Sequence, residues 1–179
     1  MGTGSAPPRP IPKPKLRPKS SVCNTGVKMK ILAIDPGTKA GWAHSDGPSG
    51  IWDLSIRRDE SGGMRLVRFK AKLKELQKSL GMDLVVYEAA RHAGPKMQGA
   101  LVVAAEMQGI LKDFFEEKDI DYQGRSSKEI KKHATGNGNA NKEKMVAAAE
   151  KNWPETKIID HNHADALWLL SLIESELGQ

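Results

Sequence analysis

The stretch Ile31-Leu32-Ala33-Ile34-Asp35-Pro36-Gly37 decides how this chain of 179 residues is expected to fold. Its four consecutive apolar residues predict a β-strand that is buried on both faces. The strand is expected to end in a turn at Asp35, because the proline and glycine that follow interrupt regular structure. The Asp35 carboxylate therefore stands at the end of a buried strand, which is an unusual place for a charge.

The rest of the chain after Met29 shows an α/β pattern. Two short runs separated by Asp46-Gly47-Pro48 predict a hairpin, and the apolar run before Glu88 predicts another strand that ends in a carboxylate. After 31–34, strands are predicted at 41–45, 50–56, 84–87 and 120–123, and helices at 66–80, 96–118, 128–133, 141–152 and 161–177. This order predicts an α/β fold in which helices cover a mixed central sheet.

A third carboxylate, Asp165, lies in the apolar last helix. It shares a helical face with Trp168 and Leu169 and so points toward the core. If the strands that end at Asp35 and Glu88 are adjacent and parallel, all three carboxylates meet at one edge of the sheet. Two such charges about 4 Å apart repel by roughly 4 kcal/mol at an effective dielectric of about 20, and a divalent cation removes that cost.

Oxygen ligands favour Mg²⁺, for which Mn²⁺ can substitute, and two such ions are the usual arrangement for hydrolysing a phosphodiester. The pattern therefore indicates a metal-dependent nuclease. Each acid also has a simpler interpretation: Asp35 as a turn former, Glu88 as a solvated strand end, and Asp165 as a first-turn helix charge. The joint placement of the three favours the metal site.

The start of the last helix offers an auxiliary group. His161 lies four residues before Asp165 and on its face, Asn162 is also close, and His163 points elsewhere. Asp160 fits the helix cap. This leaves His161 as a further metal ligand or a proton carrier, or else as an exposed first-turn histidine.

The positive charge of the chain is concentrated at its amino end. The formal net charge is +6, yet residues 1–30 carry seven basic residues and no acid, which leaves 21 basic and 22 acidic residues in the rest. Residues 1–28 also hold six of the ten prolines, and we expect them to be disordered. The tail could be a basic arm on DNA, a targeting segment or an extension upstream of a start at Met29. Residues 29–179 are expected to form one domain.

Several protein classes are excluded by composition. The sequence has no run of about 18 apolar residues that would predict a membrane span, and its first 28 residues lack the apolar middle that is expected of a secretory signal. The single cysteine, Cys23, excludes internal disulfides and a thiolate zinc site. We therefore expect a soluble, intracellular, cytoplasmic protein that has no membrane partner and needs no small-molecule cofactor beyond metal.

Five sequence motifs of this chain resemble those of one protein family. They are Ile34-Asp35-Pro36-Gly37-Thr38, Gly41-Trp42-Ala43, Val86-Tyr87-Glu88, Gly136-Asn137-Gly138-Asn139-Ala140-Asn141-Lys142 and Ala164-Asp165-Ala166-Leu167. In this order they resemble the RuvC-like Holliday junction resolvases, and the resemblance runs from about Lys30 to Ser175. It implies a ribonuclease H-like fold with a five-stranded mixed sheet flanked by helices, and a homodimer. It also implies Mg²⁺-dependent paired nicking of four-way DNA junctions in recombination, repair or replication.

By motif match, the resemblance makes Asp35, Glu88 and Asp165 the metal ligands and places Lys142 near the DNA backbone. It makes the helix at 96–118 the dimer helix. A two-fold dimer would present equivalent active sites to the equivalent strands of a two-fold junction.

Three departures from the family pattern stand out. Bacterial members carry an acid or histidine three residues before the last aspartate, where this chain has Asn162, while some relatives use the fourth position, here His161. The further ligand is therefore open between His161, Asn162 and Asp160. Arg91 stands where bacterial members have an aromatic wedge, and the basic tail has no counterpart in them. Such divergence is typical of a bacteriophage or prophage member.

Basic residues that follow the carboxylate-bearing strand ends are candidates for DNA contact, although each could equally be a solvated helix residue. They are Arg91, Lys96, Arg125, Lys128, Lys131, Lys132 and Lys142. The leading hypothesis is a structure-selective junction endonuclease. The rivals are a less selective nuclease for branched DNA and a non-catalytic DNA-binding module. An actin-like nucleotide-binding module is disfavoured, because about 150 folded residues are few for two lobes.

Overall fold

The computed structural model describes residues 28–90 and 98–179. The strands are β1 (Ile31–Asp35), β2 (Lys39–His44), β3 (Ser49–Asp53), β4 (Leu84–Glu88) and β5 (Asp121–Arg125). The helices are α1 (Gly63–Leu80), α2 (Gln98–Glu117), α3 (Ser127–Thr135), α4 (Lys142–Asn152) and α5 (His161–Leu177). The predicted disordered tail, apart from Lys28, and the DNA-contact candidates Arg91 and Lys96 lie outside the described residues.

The five strands form one mixed sheet in the order β3-β2-β1-β4-β5. β1 pairs antiparallel with β2 and parallel with β4, and β4 pairs parallel with β5. The predicted five-stranded mixed sheet is confirmed. Ile34 is opposite Tyr87 in the parallel pair, so the residues that follow them, Asp35 and Glu88, emerge side by side at the same edge.

Helices cover both faces of this sheet, which explains the continuous apolar run of β1. Ile31 and Ala33 pack in a core with α3, α4 and α5, whereas Leu32 and Ile34 pack on the other face with α1 and α2. All four side chains are fully buried. Because successive residues of a strand point to opposite faces, a central strand between two helical layers must be apolar at every position.

Helix α5 packs very closely on Gly41 of β2. A Cβ atom on Gly41 would lie 1.9 Å from the carbonyl oxygen of Asn162, so a larger residue cannot occupy that position without movement of the helix. This close packing holds the first turn of α5, and with it Asp165, against the edge of the sheet where β1 ends.

Some predicted boundaries were wrong. The strand predicted at 50–56 ends at Asp53, because its partner β2 begins at Lys39, the residue opposite Asp53. Ile56 lies beyond the strand and is 37% exposed. The strand predicted around 120–123 runs on to Arg125, since β4 offers pairing partners as far as Glu88. No helix in the described parts of the chain is long and apolar enough to cross a membrane.

Candidate active site

Three carboxylates converge at the edge of the sheet, as the sequence predicts. Asp35 ends β1, Glu88 ends β4, and Asp165 reaches them from the second turn of α5. One carboxylate oxygen of each residue lies within 4.8 Å of those of the other two. The adjacent, parallel pairing of β1 and β4 is what brings the first two together.

This proximity makes the charged forms costly. Burial, followed by repulsion from Glu88 and Asp165, raises the pKa of Asp35 well above its usual range. Burial and the Glu88 charge raise the pKa of Asp165 from its ordinary 3.8 to about 7. Burial also raises the pKa of Glu88, although a hydrogen bond from Ser127 and the nearby Lys131 oppose that effect. Without a cation, the cluster therefore retains protons that ordinary carboxyl groups would have lost.

The donor set fits a hard divalent cation. Asp165 Oδ1 is buried and has no hydrogen-bond partner within residues 28–90 and 98–179, which is a costly state for a carboxylate oxygen. A cation among the three carboxylates would satisfy this oxygen and offset the mutual repulsion. Ligands that are all oxygen atoms suit Mg²⁺ or Mn²⁺.

Among the described residues, three lysines line the cleft of about 490 Å³ beside the carboxylates, and one of them, Lys39, also acts on Asp53. The other two are Lys131 of α3 and Lys142 of α4, and both lower the pKa of Asp165. Thr38 and Ser127 also line the cleft. Negative and positive side chains in one open cleft suit a ligand that carries a phosphate and a metal ion together.

The other described DNA-contact candidates lie in different surroundings. Lys128 and Lys132 are exposed on α3. Arg125 is opposite Glu88 in the strand pairing, but its guanidinium forms an ion pair with Glu176. Glu176 neutralises part of the positive charge of Arg125 and ties its side chain to α5.

His161 lines the same cleft, but it is not part of the three-carboxylate group found among the described residues. Its Nε2 atom lies 2.8 Å from Lys142 Nζ. Burial, followed by the Lys142 charge, lowers the pKa of His161, which favours the neutral ring at pH 7.

The other candidates for a further ligand have structural partners. Asp160 caps α5 by accepting hydrogen bonds from the backbone N–H groups of Asn162 and His163, as predicted. The Asn162 amide donates to the other oxygen of Asp160. His163 is buried and contacts Ser49 and the backbone of Ile159, so it points away from the carboxylates, also as predicted.

The sequence analysis overlooked two residues that support Glu88. Gln108 of α2 is buried, and its side chain donates a hydrogen bond of 3.1 Å to the Glu88 carbonyl oxygen. Ser127, the first residue of α3, lines the same cleft as Glu88 and lowers the pKa of its carboxyl group. Gln108 could have been identified from the sequence, because it is a polar residue on the otherwise apolar, buried face of α2. Ser127 gave no such signal, because serine is common where a helix begins.

No protein-family model matches this chain, and no curated protein sequence matches it. Solved structures do match it. Thermus thermophilus RuvC in complex with a Holliday junction substrate aligns over 84% of this chain and 95% of its own, with 17% identity and a TM-score of 0.67. Thermus thermophilus RuvC in a second structure aligns over 84% and 97%, with 16% identity and a TM-score of 0.63.

A more distant match is Ydc2, the Holliday junction resolvase of yeast mitochondria. It aligns over 80% of this chain and 77% of its own, with 12% identity and a TM-score of 0.54. These similarities establish a RuvC-like, ribonuclease H-like fold, as the sequence analysis predicts. The bacteriophage or prophage origin stays a prediction.

Proposed function

We propose that this protein is a metal-dependent, structure-selective DNA endonuclease that resolves four-way junctions by paired nicking, a crossover junction endodeoxyribonuclease. The observation that carries the proposal is the convergence of Asp35, Glu88 and Asp165 at the sheet edge of a RuvC-like fold. The solved structure with the highest TM-score among those described was determined with a Holliday junction bound.

Asp35, Glu88 and Asp165 are the residues that would hold Mg²⁺, or Mn²⁺ in its place. Two ions per site are expected from the reaction type. When bound, the metal would activate water and stabilise the leaving oxygen of the cleaved phosphodiester. Gln108 holds the backbone of Glu88 by a hydrogen bond, and Ser127 favours the charged form of its carboxylate by lowering its pKa.

Lys131 and Lys142 have a separate task in this proposal. A DNA backbone that enters the cleft brings negative charge to a cluster that is already acidic. The two ammonium groups line that cleft and offset part of this charge. Phosphate contacts of this kind orient DNA without reading its sequence.

The proposal includes a homodimer formed through α2. This helix exposes Val102, which is 56% accessible, together with the small residues Ala105 and Gly109 on the same face. A two-fold pair of subunits matches a junction whose opposed strands are equivalent. An intracellular, DNA-associated location also belongs to the proposal.

Cleavage of a synthetic four-way junction in the presence of Mg²⁺ tests the activity. Wild-type protein should nick two opposed strands, and Asp35→Asn should reduce the rate at least about 100-fold, because it removes a charged ligand from the metal site. Asp59→Asn is the control, since it makes the same chemical change at an exposed position outside α2. Equal rates for wild type and Asp35→Asn would contradict the proposal.

The same assay separates the two rival functions. A less selective nuclease would cut forks, flaps and duplex DNA at rates within a few-fold of that for the junction. A non-catalytic module would bind the junction without cutting it in Mg²⁺ or Mn²⁺, and Glu88→Gln would leave its affinity unchanged.

A further inference from the structure

The first residues of two helices contact each other inside the cleft. Lys142 begins α4, His161 begins α5, and Lys142 Nζ lies 2.8 Å from His161 Nε2. The two residues are 19 positions apart in the sequence. The contact places the ammonium group of Lys142 against a ring nitrogen of His161, and both residues are candidate site residues.

The chemistry of this pair fixes which atom donates. A lysine ammonium has three donor hydrogens and no acceptor, so His161 Nε2 must accept through its lone pair. A neutral imidazole has only one nitrogen with a free lone pair, and a metal ion would need that same lone pair. While Lys142 is bound there, His161 cannot ligate through Nε2.

The position of His161 nevertheless suits a metal ligand. Residues four apart on a helix are neighbours on one face, and His161 is one turn from Asp165. His161 lines the same cleft as the three carboxylates. His161 could therefore bind the metal ion once Lys142 no longer occupies its Nε2 atom.

We propose that Lys142 holds His161 away from the metal until a DNA phosphate draws the ammonium to itself, and that the freed Nε2 then completes the ligand set. This inference rests on the proposed function, because it assumes that DNA enters the cleft. An ammonium bonds more strongly to a charged phosphate than to a neutral ring nitrogen. The flexible four-carbon stem of lysine allows the exchange without movement of α4.

A consequence is that the free protein and the DNA complex differ in their metal ligands. The free protein would present the three carboxylates of Asp35, Glu88 and Asp165. The complex would add the His161 nitrogen. Substrate binding would thereby complete the site, and a lysine would act as a positioning residue for a histidine.

Pulsed electron paramagnetic resonance with Mn²⁺ as the probe tests this directly, because nitrogen hyperfine coupling to Mn²⁺ reports a bound histidine. We expect no nitrogen coupling in free wild-type protein. Coupling should appear in free Lys142→Met and in the wild-type complex with a junction that has non-hydrolysable linkages. It should disappear when His161→Gln is added to either sample.

Lys144→Met is the matched control, because it removes the same charge at an exposed position two residues further along α4; it should behave as wild type. Nitrogen coupling in free wild-type protein would overturn the proposal. So would its absence from either free Lys142→Met or the DNA complex while Mn²⁺ is bound. Since the free-protein samples require no DNA cleavage, a failed junction assay is distinguishable from a failed exchange.

Discussion

Gly41 and Asn162 are in such close contact that a Cβ atom on Gly41 would lie 1.9 Å from the carbonyl oxygen of Asn162. Gly41 is buried in β2, and Asn162 lies in the first turn of α5. This contact sets the distance between the sheet and the helix that carries Asp165.

Replacing Gly41 by alanine should therefore move the start of α5. We expect a loss of stability of about 1–3 kcal/mol, as in other overpacked cores, together with weaker Mn²⁺ binding. Thermal unfolding and Mn²⁺ titration measure the two effects. Gly50→Ala on β3 is the control, because its added carbon would make only ordinary contacts of 3.5 Å or more with Trp42. Similar behaviour of the two variants would contradict this account of the contact.

Neighbouring lysines on α3 provide a second comparison. Lys131 lines the cleft and lowers the pKa of Asp165, whereas Lys132 is exposed. Lys131→Ala should reduce junction cleavage at least about 10-fold, because one charge-assisted contact to phosphate contributes on the order of 1.5 kcal/mol or more. Lys132→Ala should change the rate by less than about 3-fold. Single-turnover kinetics at fixed salt would compare the two, and equal losses would remove the special role of Lys131.

The raised pKa of Asp165 predicts an unusual pH dependence of stability. Its pKa is about 7 in the folded, metal-free protein and near 3.8 for an ordinary aspartate, so the unfolded chain loses this proton first. The contribution of Asp165 to stability is therefore complete below about pH 4 and is lost as the pH rises through about 7.

Thermal unfolding from pH 5 to 8, with and without Mg²⁺, would measure this dependence. The Tm of the metal-free protein should fall over this range relative to that of Asp165→Asn. The increase in Tm caused by Mg²⁺ should grow with pH, since binding requires the ionised carboxylates. A Tm difference between the two proteins that does not vary with pH would be evidence against the raised pKa.

The basic tail can be tested through the salt dependence of DNA binding. Residues 1–27 carry five basic side chains. If all five contact phosphate, deleting this segment should flatten the slope of log affinity against log salt by about 4 to 5 units. An unchanged slope would show that the tail does not contact the DNA phosphates. The same deletion should leave the Tm unchanged, which serves as the control for folding.

Much of the site follows from sequence periodicity, because periodicity tells which face of an element a residue occupies. It predicted that Asp35 and Glu88 lie at strand ends and that Asp165 points toward the core. Periodicity cannot tell which elements become neighbours. The contact of Lys142 with His161 and that of Gly41 with Asn162 each join residues of different elements, so neither could be predicted. The end of β3 at Asp53 depended in the same way on its partner strand.

The parallel pairing of β1 with β4 has a consequence for how such a site can diverge. Adjacent strands lie about 4.8 Å apart whatever their side chains, because backbone hydrogen bonds set that distance. The spacing of Asp35 and Glu88 is therefore inherited from the peptide backbone rather than from any particular core residue. Mutations can replace most of the surrounding apolar side chains over evolutionary time without separating the two acids, which fits a fold shared at only 17% identity.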